Sequence, residues 1–192
     1  MFEERPSFDK SSRRKVYNLG VNDADYVIRY RDEGGKFVTC PFYMTWMRIL
    51  KKVSKSQVTI CDEWLSFSCF KKWMEGQRYK GHVLDRELKV LGSTHYSPAN
   101  CLFLTPVIKA LLVRKKKNNG QAEGVHWKER DKVFVSQISR KGRRCYLGNY
   151  ATEAEASDVY REAKATYLKK VAEKEPEEVK HLLRVYAETI YE

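Results

Sequence analysis

The chain has 192 residues, which is enough for one medium domain or two small ones. Hydrophobic residues make up 42% of it and aromatic residues 12%, more than a disordered chain carries, so composition excludes an unfolded protein. The 37 Lys and Arg residues outnumber the 25 Asp and Glu residues, and the formal charge of +12 indicates a polyanion or an acidic surface as partner.

Two further features exclude other classes of protein. No run of about 18 apolar residues occurs, and the beginning of the chain lacks the apolar stretch of a secretory signal, so we expect a cytoplasmic protein with no membrane partner. The five Cys residues are scattered and include no Cys-x-x-Cys pair. We therefore expect buried thiols in place of disulfides or a zinc site.

The first predicted elements are an arm and two helices. Residues 1–20 are polar, with a basic run at 13–15. They predict a flexible arm that either is solvated or lies along bound DNA. The segments at 40–52 and 61–77 predict helices, the second after a short strand, because large apolar residues recur at spacings of three and four. The expected core residues of these helices are Trp46, Ile49, Leu50, Trp64, Phe67, Phe70, Trp73 and Met74.

The stretch from Lys80 to Leu112 predicts a strand, a long loop, the short apolar strand CLFL and a helix. Thr105 and Pro106 are suitable residues for the N-cap and first position of that helix. The order of elements is therefore that of a ββα unit. We place this unit in a domain at 21–113.

A basic segment without large apolar residues follows at 114–123 and is the expected linker. Eleven Lys and Arg residues between Arg114 and Tyr146 face only three acids, an excess of eight. A second domain at 124–192 then begins with three short strands separated by hairpin-sized gaps. Thr152 and Glu155 predict a capping box ahead of a long helix, which ends or kinks at Pro176 before a last helix.

Alternation along the three strands predicts two faces. One face should pack on the long helix and carries Val125, Trp127, Phe134, Ser136, Ile138, Cys145 and Leu147. The other should be exposed and carries His126, Lys128, Val133, Val135, Gln137, Ser139, Arg144 and Tyr146. A sheet with such hydrogen-bond donors can enter the major groove of DNA. With the turns and the linker, the expected DNA-binding residues are His126, Lys128, Lys132, Gln137, Ser139, Arg140, Lys141, Arg143, Arg144, Tyr146, Lys115, Lys116 and Lys117.

A sequence pattern across 124–168 carries a family resemblance. Its elements are Gly124-Val125, the alternating Phe134, Ser136 and Ile138, the run Leu147-Gly148 followed by Tyr150, and an acidic, Ala-rich helix with Glu153, Glu155, Ala156 and Tyr160. The pattern resembles the plant ethylene-response-factor (Apetala-two) DNA-binding domain, which also occurs fused to phage homing endonucleases. The resemblance implies that the exposed sheet face contacts double-stranded DNA.

A second resemblance covers 38–112. The motif LDREL, the motif YSPANC before the apolar strand, and Cys61, Trp64 and Phe67 in the preceding helix are similar to the core of phage HNH (His-Me finger) endonucleases. The resemblance implies that Asp85 and Asn100 hold one divalent metal, Mg²⁺ by expectation, against the scissile phosphate. It also implies a phage protein that works inside a bacterial host.

The position of the general base departs from the HNH pattern. It holds Arg86, which keeps its proton at neutral pH and so cannot act as a base, although it could clamp a phosphate. His95 or His82 could supply the missing imidazole, and Lys109 replaces the Asn or His that often follows the apolar strand in the family.

The overall expectation is an α+β protein: an N-terminal helical region with a ββα core, then a three-stranded antiparallel sheet packed on one long helix. Two functions follow from it. One is an HNH-type endonuclease that cleaves or nicks duplex DNA with a divalent metal and has Arg86 and His95 in the catalytic positions. The other is a catalytically inactive DNA-binding regulator or inhibitor on a degenerate HNH scaffold. The oligomeric state and the target sequence do not follow from these residues.

Overall fold

The computed structural model describes residues 2–7, 15–112 and 121–190. The chain divides into two compact units, Met1–Phe103 and Leu104–Glu192. Five α-helices and four small sheets occur within the described residues, which confirms the α+β class. None of the helices in this part of the chain is long and apolar enough to cross a membrane. Most of the expected linker lies outside the described residues, together with Lys115, Lys116 and Lys117.

The first unit contains short strands and two helices. Its strands are β1 (Arg29–Arg31), β2 (Phe37–Thr39), β3 (Thr59–Ile60), β4 (Val83–Asp85), β5 (His95–Tyr96) and β6 (Leu102–Leu104). Its helices are α1 (Pro41–Val53) and α2 (Phe67–Glu75), with a single 3₁₀ turn at Asp62–Leu65 before α2. Strand β1 pairs with β2 antiparallel, β3 pairs with β5 parallel, and β4 is hydrogen-bonded to β6.

The helices of the first unit bury the apolar residues that the spacing predicts. Trp46, Ile49 and Leu50 of α1 are buried, as are Phe67, Phe70 and Met74 of α2. The indole N–H of Trp46 donates to the carbonyl of Trp64 at 2.6 Å, so one of the two largest core side chains has its polar atom satisfied.

The beginning of the chain differs from the expected free arm. The Ser7 amide donates to the Asp25 carbonyl at 3.0 Å, and the Val27 amide donates to the Arg5 carbonyl at 2.8 Å. Residues 2–7 are therefore held against the first unit by backbone hydrogen bonds, which the polar composition of the segment does not reveal. The basic run at 13–15 lies outside the described residues, except for Lys15.

The second unit begins earlier than the expected boundary at the linker. Helix α3 (Pro106–Leu112) packs against helix α4 (Glu153–Ala172), and the Tyr186 hydroxyl donates to the Leu112 carbonyl at 3.4 Å. These contacts place α3 in the second unit, although the sequence order assigns it to the ββα segment. The remaining elements of this unit are β7 (Val125–Lys128), β8 (Val133–Arg140), β9 (Arg143–Tyr150) and α5 (Glu177–Glu188).

The three-stranded antiparallel sheet has the order β7-β8-β9, as predicted. Helix α4 begins with the predicted capping box, in which Thr152 accepts from the Glu155 amide and Glu155 accepts from the Thr152 amide. Val125, Ser136 and Ile138 are buried, as expected for the face that packs on α4.

Three residues of the sheet depart from simple alternation. Trp127 was expected against the helix but is 37% exposed, and it contacts Phe134 with the two rings tilted and their centroids 4.8 Å apart. Val135 was expected on the exposed face but is buried. A register shift leaves Leu147 without a partner on β8, because Ser136 faces Gly148 while Gln137 faces Tyr146. Such a bulge reverses the side-chain alternation along β9.

Candidate nucleic-acid interface

The turn between β8 and β9 presents consecutive basic residues. Arg140 pairs with Arg143 across the two strands, so the loop consists of Lys141 and Gly142 alone. Both loop residues have positive φ angles, 51° and 77°, which identifies the tight hairpin turn that matches the twist of the strands. The short loop fixes three exposed cations, Lys141, Arg143 and Arg144, within a few residues of each other.

The exposed face of the sheet continues this basic region. Ser139 lies opposite Arg144, and Gln137 lies opposite Tyr146, so the four side chains share one face. Tyr146 is 64% exposed, and Arg144 and Ser139 are also exposed, whereas Gln137 is half-buried. This face therefore offers a guanidinium, an amide and two hydroxyls to a ligand. We define the sheet surface as Gln137, Ser139, Arg144 and Tyr146 of this face together with the two exposed cations of the turn, Lys141 and Arg143, of which Arg143 lies opposite Arg140.

His126, Lys128 and Lys132 lie farther along the sheet. Lys128 forms an ion pair with Asp131, which raises the pKa of the Lys128 ammonium and offsets part of its charge. Lys132 is exposed in the loop before β8 with a φ angle of 48°. His126 is half-buried, and among the described residues no group bonds to its buried Nδ1. His126 is therefore less accessible to a ligand than the β8–β9 turn and Lys128 is partly neutralised, whereas Lys132 remains an exposed cation.

Arg140 lies at the end of β8, next to the β8–β9 turn. It lies opposite Arg143 and on the same face as Ile138, which is the helix side of the sheet. Its guanidinium carbon is 5.5 Å from the ring centroid of Tyr167 on α4. This cation–π contact directs the Arg140 guanidinium toward α4, and contact of Arg140 with DNA stays a prediction.

The charge of the sheet surface is not neutralised within the unit. Of the basic residues between 121 and 150, only Lys128 and Arg130 have an acidic partner among the described residues, and that partner is Asp131 in both cases. The cations of the sheet surface therefore project an unbalanced positive field, which attracts a polyanion.

The second unit also contains a buried ion pair that was not predicted from the sequence. Lys164 of α4 is 3% exposed, and its Nζ lies 2.8 Å from Glu123. The Ala122 amide also donates to Glu153 at 2.6 Å. Two bonds thus hold the segment before β7 against α4. The spacing of Lys164, four residues after Tyr160, was the available signal, because that spacing repeats the buried face of the helix.

A polar cluster in the first unit contains the residues expected at the nuclease site. Asp85 is 1% exposed at the end of β4, and its Oδ1 accepts from the amides of Glu87 and Leu88 at 2.8 and 2.7 Å. A carboxylate that accepts two backbone N–H groups fixes a tight turn. This arrangement directs one oxygen of Asp85 into its own turn.

Arg86 and Asn100 meet at Ser93. The Arg86 Nε donates to the Ser93 carbonyl at 2.9 Å, and the Asn100 amide nitrogen donates to the Ser93 hydroxyl at 3.0 Å. Arg86 also forms an ion pair with Glu87 at 2.9 Å and donates to the Tyr96 hydroxyl at 3.3 Å. The guanidinium is therefore held in place by several partners at the position where the HNH pattern has a base.

The two candidate imidazoles lie apart from this convergence. His95 contributes its carbonyl, which accepts from the Asn100 amide at 3.3 Å, but its Nδ1 is 2.8 Å from the Thr59 hydroxyl on β3. The Nδ1 of His82 is 2.8 Å from the Lys80 carbonyl. The Nδ1 of His82 donates to this carbonyl, whereas the Nδ1 of His95 can donate to or accept from the Thr59 hydroxyl according to its tautomer. The backbone of His95, and not its ring, joins the Ser93 cluster.

Asp85 and Asn100 are the residues of this cluster that could hold a divalent metal. No group of three or more His, Cys, Asp or Glu residues suitable for a metal occurs within the described ranges. Mg²⁺ requires fewer protein ligands, since it commonly uses one or two carboxylates with waters and phosphate oxygens. Asp85 and the amide oxygen of Asn100 have the required chemistry, but the burial of Asp85 separates its carboxylate from solvent.

The comparisons with known proteins identify no relative. No family model matches the chain, and neither a curated protein nor a solved structure matches it.

Proposed function

We propose that this protein binds double-stranded DNA through the sheet surface of its second unit. The observation that carries the proposal is the β8–β9 hairpin, where Lys141, Arg143 and Arg144 are exposed and have no acidic partner among the described residues. Neutralising phosphates with such cations releases counterions and supplies most of the affinity of basic proteins for DNA.

The residues of the sheet surface divide into two roles. Lys141 and Arg143, at the turn, contact phosphates and hold the sheet in register with the duplex. Arg144 faces the groove and donates to base edges, where a guanidinium can bind guanine with two hydrogen bonds. Gln137 lies beside it, in the next cross-strand pair on the same face. The resemblance to the Apetala-two domain supports this division, since that family also uses the exposed face of a three-stranded sheet.

A binding experiment tests the role of the sheet surface. The double variant Arg143→Ala with Arg144→Ala removes two exposed cations, so its affinity for duplex DNA, measured by fluorescence anisotropy, should fall by about tenfold or more. The matched control is Lys169→Ala with Lys170→Ala, which removes the same charge from exposed positions at the end of α4. Equal losses for the two pairs would show that net charge alone, and not this surface, determines binding.

A second candidate function is metal-dependent cleavage of the bound DNA by an HNH-type site. One observation favours it: Arg86 and Asn100 both bind Ser93, and Asp85 directly precedes Arg86, so three residues of the expected site lie in one cluster. Asp85 and Asn100 would hold the metal, which would supply a Lewis acid at the scissile phosphate. Arg86 would clamp a phosphate oxygen in this site, because a guanidinium cannot accept a proton.

Nicking of a supercoiled plasmid with Mg²⁺ or Mn²⁺, against the same assay in EDTA, tests cleavage. Asp85→Asn should abolish nicking and keep the turn, because the amide oxygen can still accept from Glu87 and Leu88. Arg86→His should raise nicking by restoring a group that titrates near neutrality. If neither the wild type nor Arg86→His nicks the plasmid with either metal, the protein is a non-catalytic DNA-binding regulator or inhibitor on the same scaffold.

A further inference from the structure

The β1–β2 hairpin of the first unit carries an exposed aromatic ring between cations. Phe37 is 48% exposed, although large aromatic side chains are usually covered. The guanidinium carbons of Arg29 and Arg31 lie 3.7 and 4.2 Å from the centroid of its ring. Arg31 is further fixed by a hydrogen bond from its Nη1 to the Gly35 carbonyl at 2.9 Å. The hairpin thus presents one ring and two planar cations on the same face.

Phe37 also forms part of the wall of a cleft of about 970 Å³ in the same unit. The cleft is within the size range of small-molecule sites, which is about 300–1,000 Å³. Its aromatic lining is continuous, since the Phe42 and Tyr79 centroids are 5.0 Å apart and the Tyr79 and Phe103 centroids are 6.5 Å apart. A planar base could therefore pack against these rings at the wall of the cleft.

The charged residues of the cleft lining favour an anionic ligand. Arg48 and Lys80 are exposed and line the cleft, together with the half-buried Thr39 and Thr45. Glu4 is the acid of the lining, and its carboxylate is 2.6 Å from Lys71, so an ion pair already offsets its charge. The acids of the hairpin turn, Asp32 and Glu33, are not part of the lining. Positive groups at an aromatic cleft fit a base with its phosphate.

We propose that the cleft beside Phe37 binds an unpaired base of single-stranded DNA, with Arg29, Arg31 and Arg48 on the adjoining phosphates. Aromatic rings flanked by Arg residues are the usual platform for single strands, because every base has a face that can stack. The choice of DNA as the polymer rests on the proposed function, whereas the residues of the cleft are different from those of the sheet surface. An apolar peptide would make no use of the guanidinium pair.

The test uses the full chain and a short single-stranded oligonucleotide that contains one 2-aminopurine, whose fluorescence falls on stacking. Wild type should quench the fluorescence. Phe37→Ala should lose the quenching and about tenfold or more in affinity for the single strand, while Phe37→Tyr should retain both. The control is Leu91→Ala, which shortens another exposed apolar side chain and should bind as wild type does.

The same variants distinguish this site from the sheet surface. Phe37→Ala should leave affinity for duplex DNA unchanged, and the Arg143→Ala, Arg144→Ala double variant should still quench the 2-aminopurine. If the wild type does not quench the probe, or if Phe37→Ala binds the single strand as tightly as the wild type, the proposal is overturned.

Discussion

Arg86 shows at the scale of one residue how a side chain can organise a loop. Its guanidinium binds the Ser93 carbonyl, the Glu87 carboxylate and the Tyr96 hydroxyl, and therefore connects the two ends of the loop between β4 and β5. The sequence already predicted that Arg86 cannot be a base. It could not predict these partners, because they come from a loop whose closure no local pattern specifies.

The buried ion pair between Lys164 and Glu123 leads to a prediction about stability. Glu123→Gln removes the carboxylate and leaves the ammonium of Lys164 in a site that is 3% exposed. Breaking a buried pair costs about 3–5 kcal/mol, and we expect a value near the lower limit because the Glu123 side chain is 28% exposed. Urea unfolding measures this cost. The double change Glu123→Gln with Lys164→Met should recover much of it, and no recovery would contradict the explanation by an unpaired charge.

The cysteine residues differ in their predicted reactivity. Burial raises the pKa of the Cys101 thiol to about 12, and the Asp85 carboxylate adds to this effect, although the Ser97 backbone bond opposes it. Cys69 is exposed on α2. In the native protein, therefore, a thiol reagent at neutral pH should modify Cys69 rapidly and Cys101 only after unfolding. Cys69→Ser should remove the fast phase, and a fast phase assigned to Cys101 by mass spectrometry would contradict the burial of that thiol.

At the scale of the element, Asp23 stabilises the beginning of α2. Its carboxylate accepts from the hydroxyls of Ser66 and Ser68, both at 2.5 Å, and from the Ser68 amide at 2.7 Å. It therefore replaces the side-chain cap that Ser66 itself does not provide. Because Asp23 lies far from α2 in the sequence, no local capping pattern predicts this role.

Asp23→Ala should lower the free energy of unfolding by about 1–2 kcal/mol, the usual effect of losing a helix cap. Burial alone would raise the pKa of Asp23, but the bonds from Ser66 and Ser68 outweigh it and lower the pKa below the usual value. A lowered pKa in the folded state stabilises the protein above the unfolded pKa, and this stability is lost as the pH falls through the folded pKa. Denaturant unfolding at neutral and acidic pH should therefore show a gap between wild type and variant that narrows in acid. A gap that is constant with pH would contradict a charged cap.

The elements differ in how well the sequence predicts them. Helices α1, α2 and α4 follow from apolar spacing and the capping box, which are local signals. The β1–β2 hairpin was missed, because its three-residue strands carry Arg29 and Arg31 in place of alternating apolar residues. The parallel pairing of β3 with β5 joins residues 36 apart, as the bond between Thr59 and His95 shows, and such distant pairings have no local signal.

At the scale of the whole molecule, the sequence located the basic surface better than it located the polar cluster. Alternation correctly placed Gln137, Ser139 and Arg144 on one face, because strand periodicity is a strict rule between bulges. The orientation of Arg140 depends on Tyr167 of α4, and the burial of Asp85 depends on the turn after β4. Both depend on tertiary packing, which residue type and spacing do not determine.

The dependence of duplex affinity on salt is the most direct test of the proposal that the sheet surface binds DNA. Each phosphate contact contributes a slope of about −0.9 to a plot of log affinity against log salt concentration. The wild type should show a steep linear fall. The Arg143→Ala, Arg144→Ala variant should show a slope shallower by about one, because Arg143 contacts a phosphate whereas Arg144 contacts bases. A flat response in the wild type, or an unchanged slope in the variant, would contradict binding of DNA by this surface.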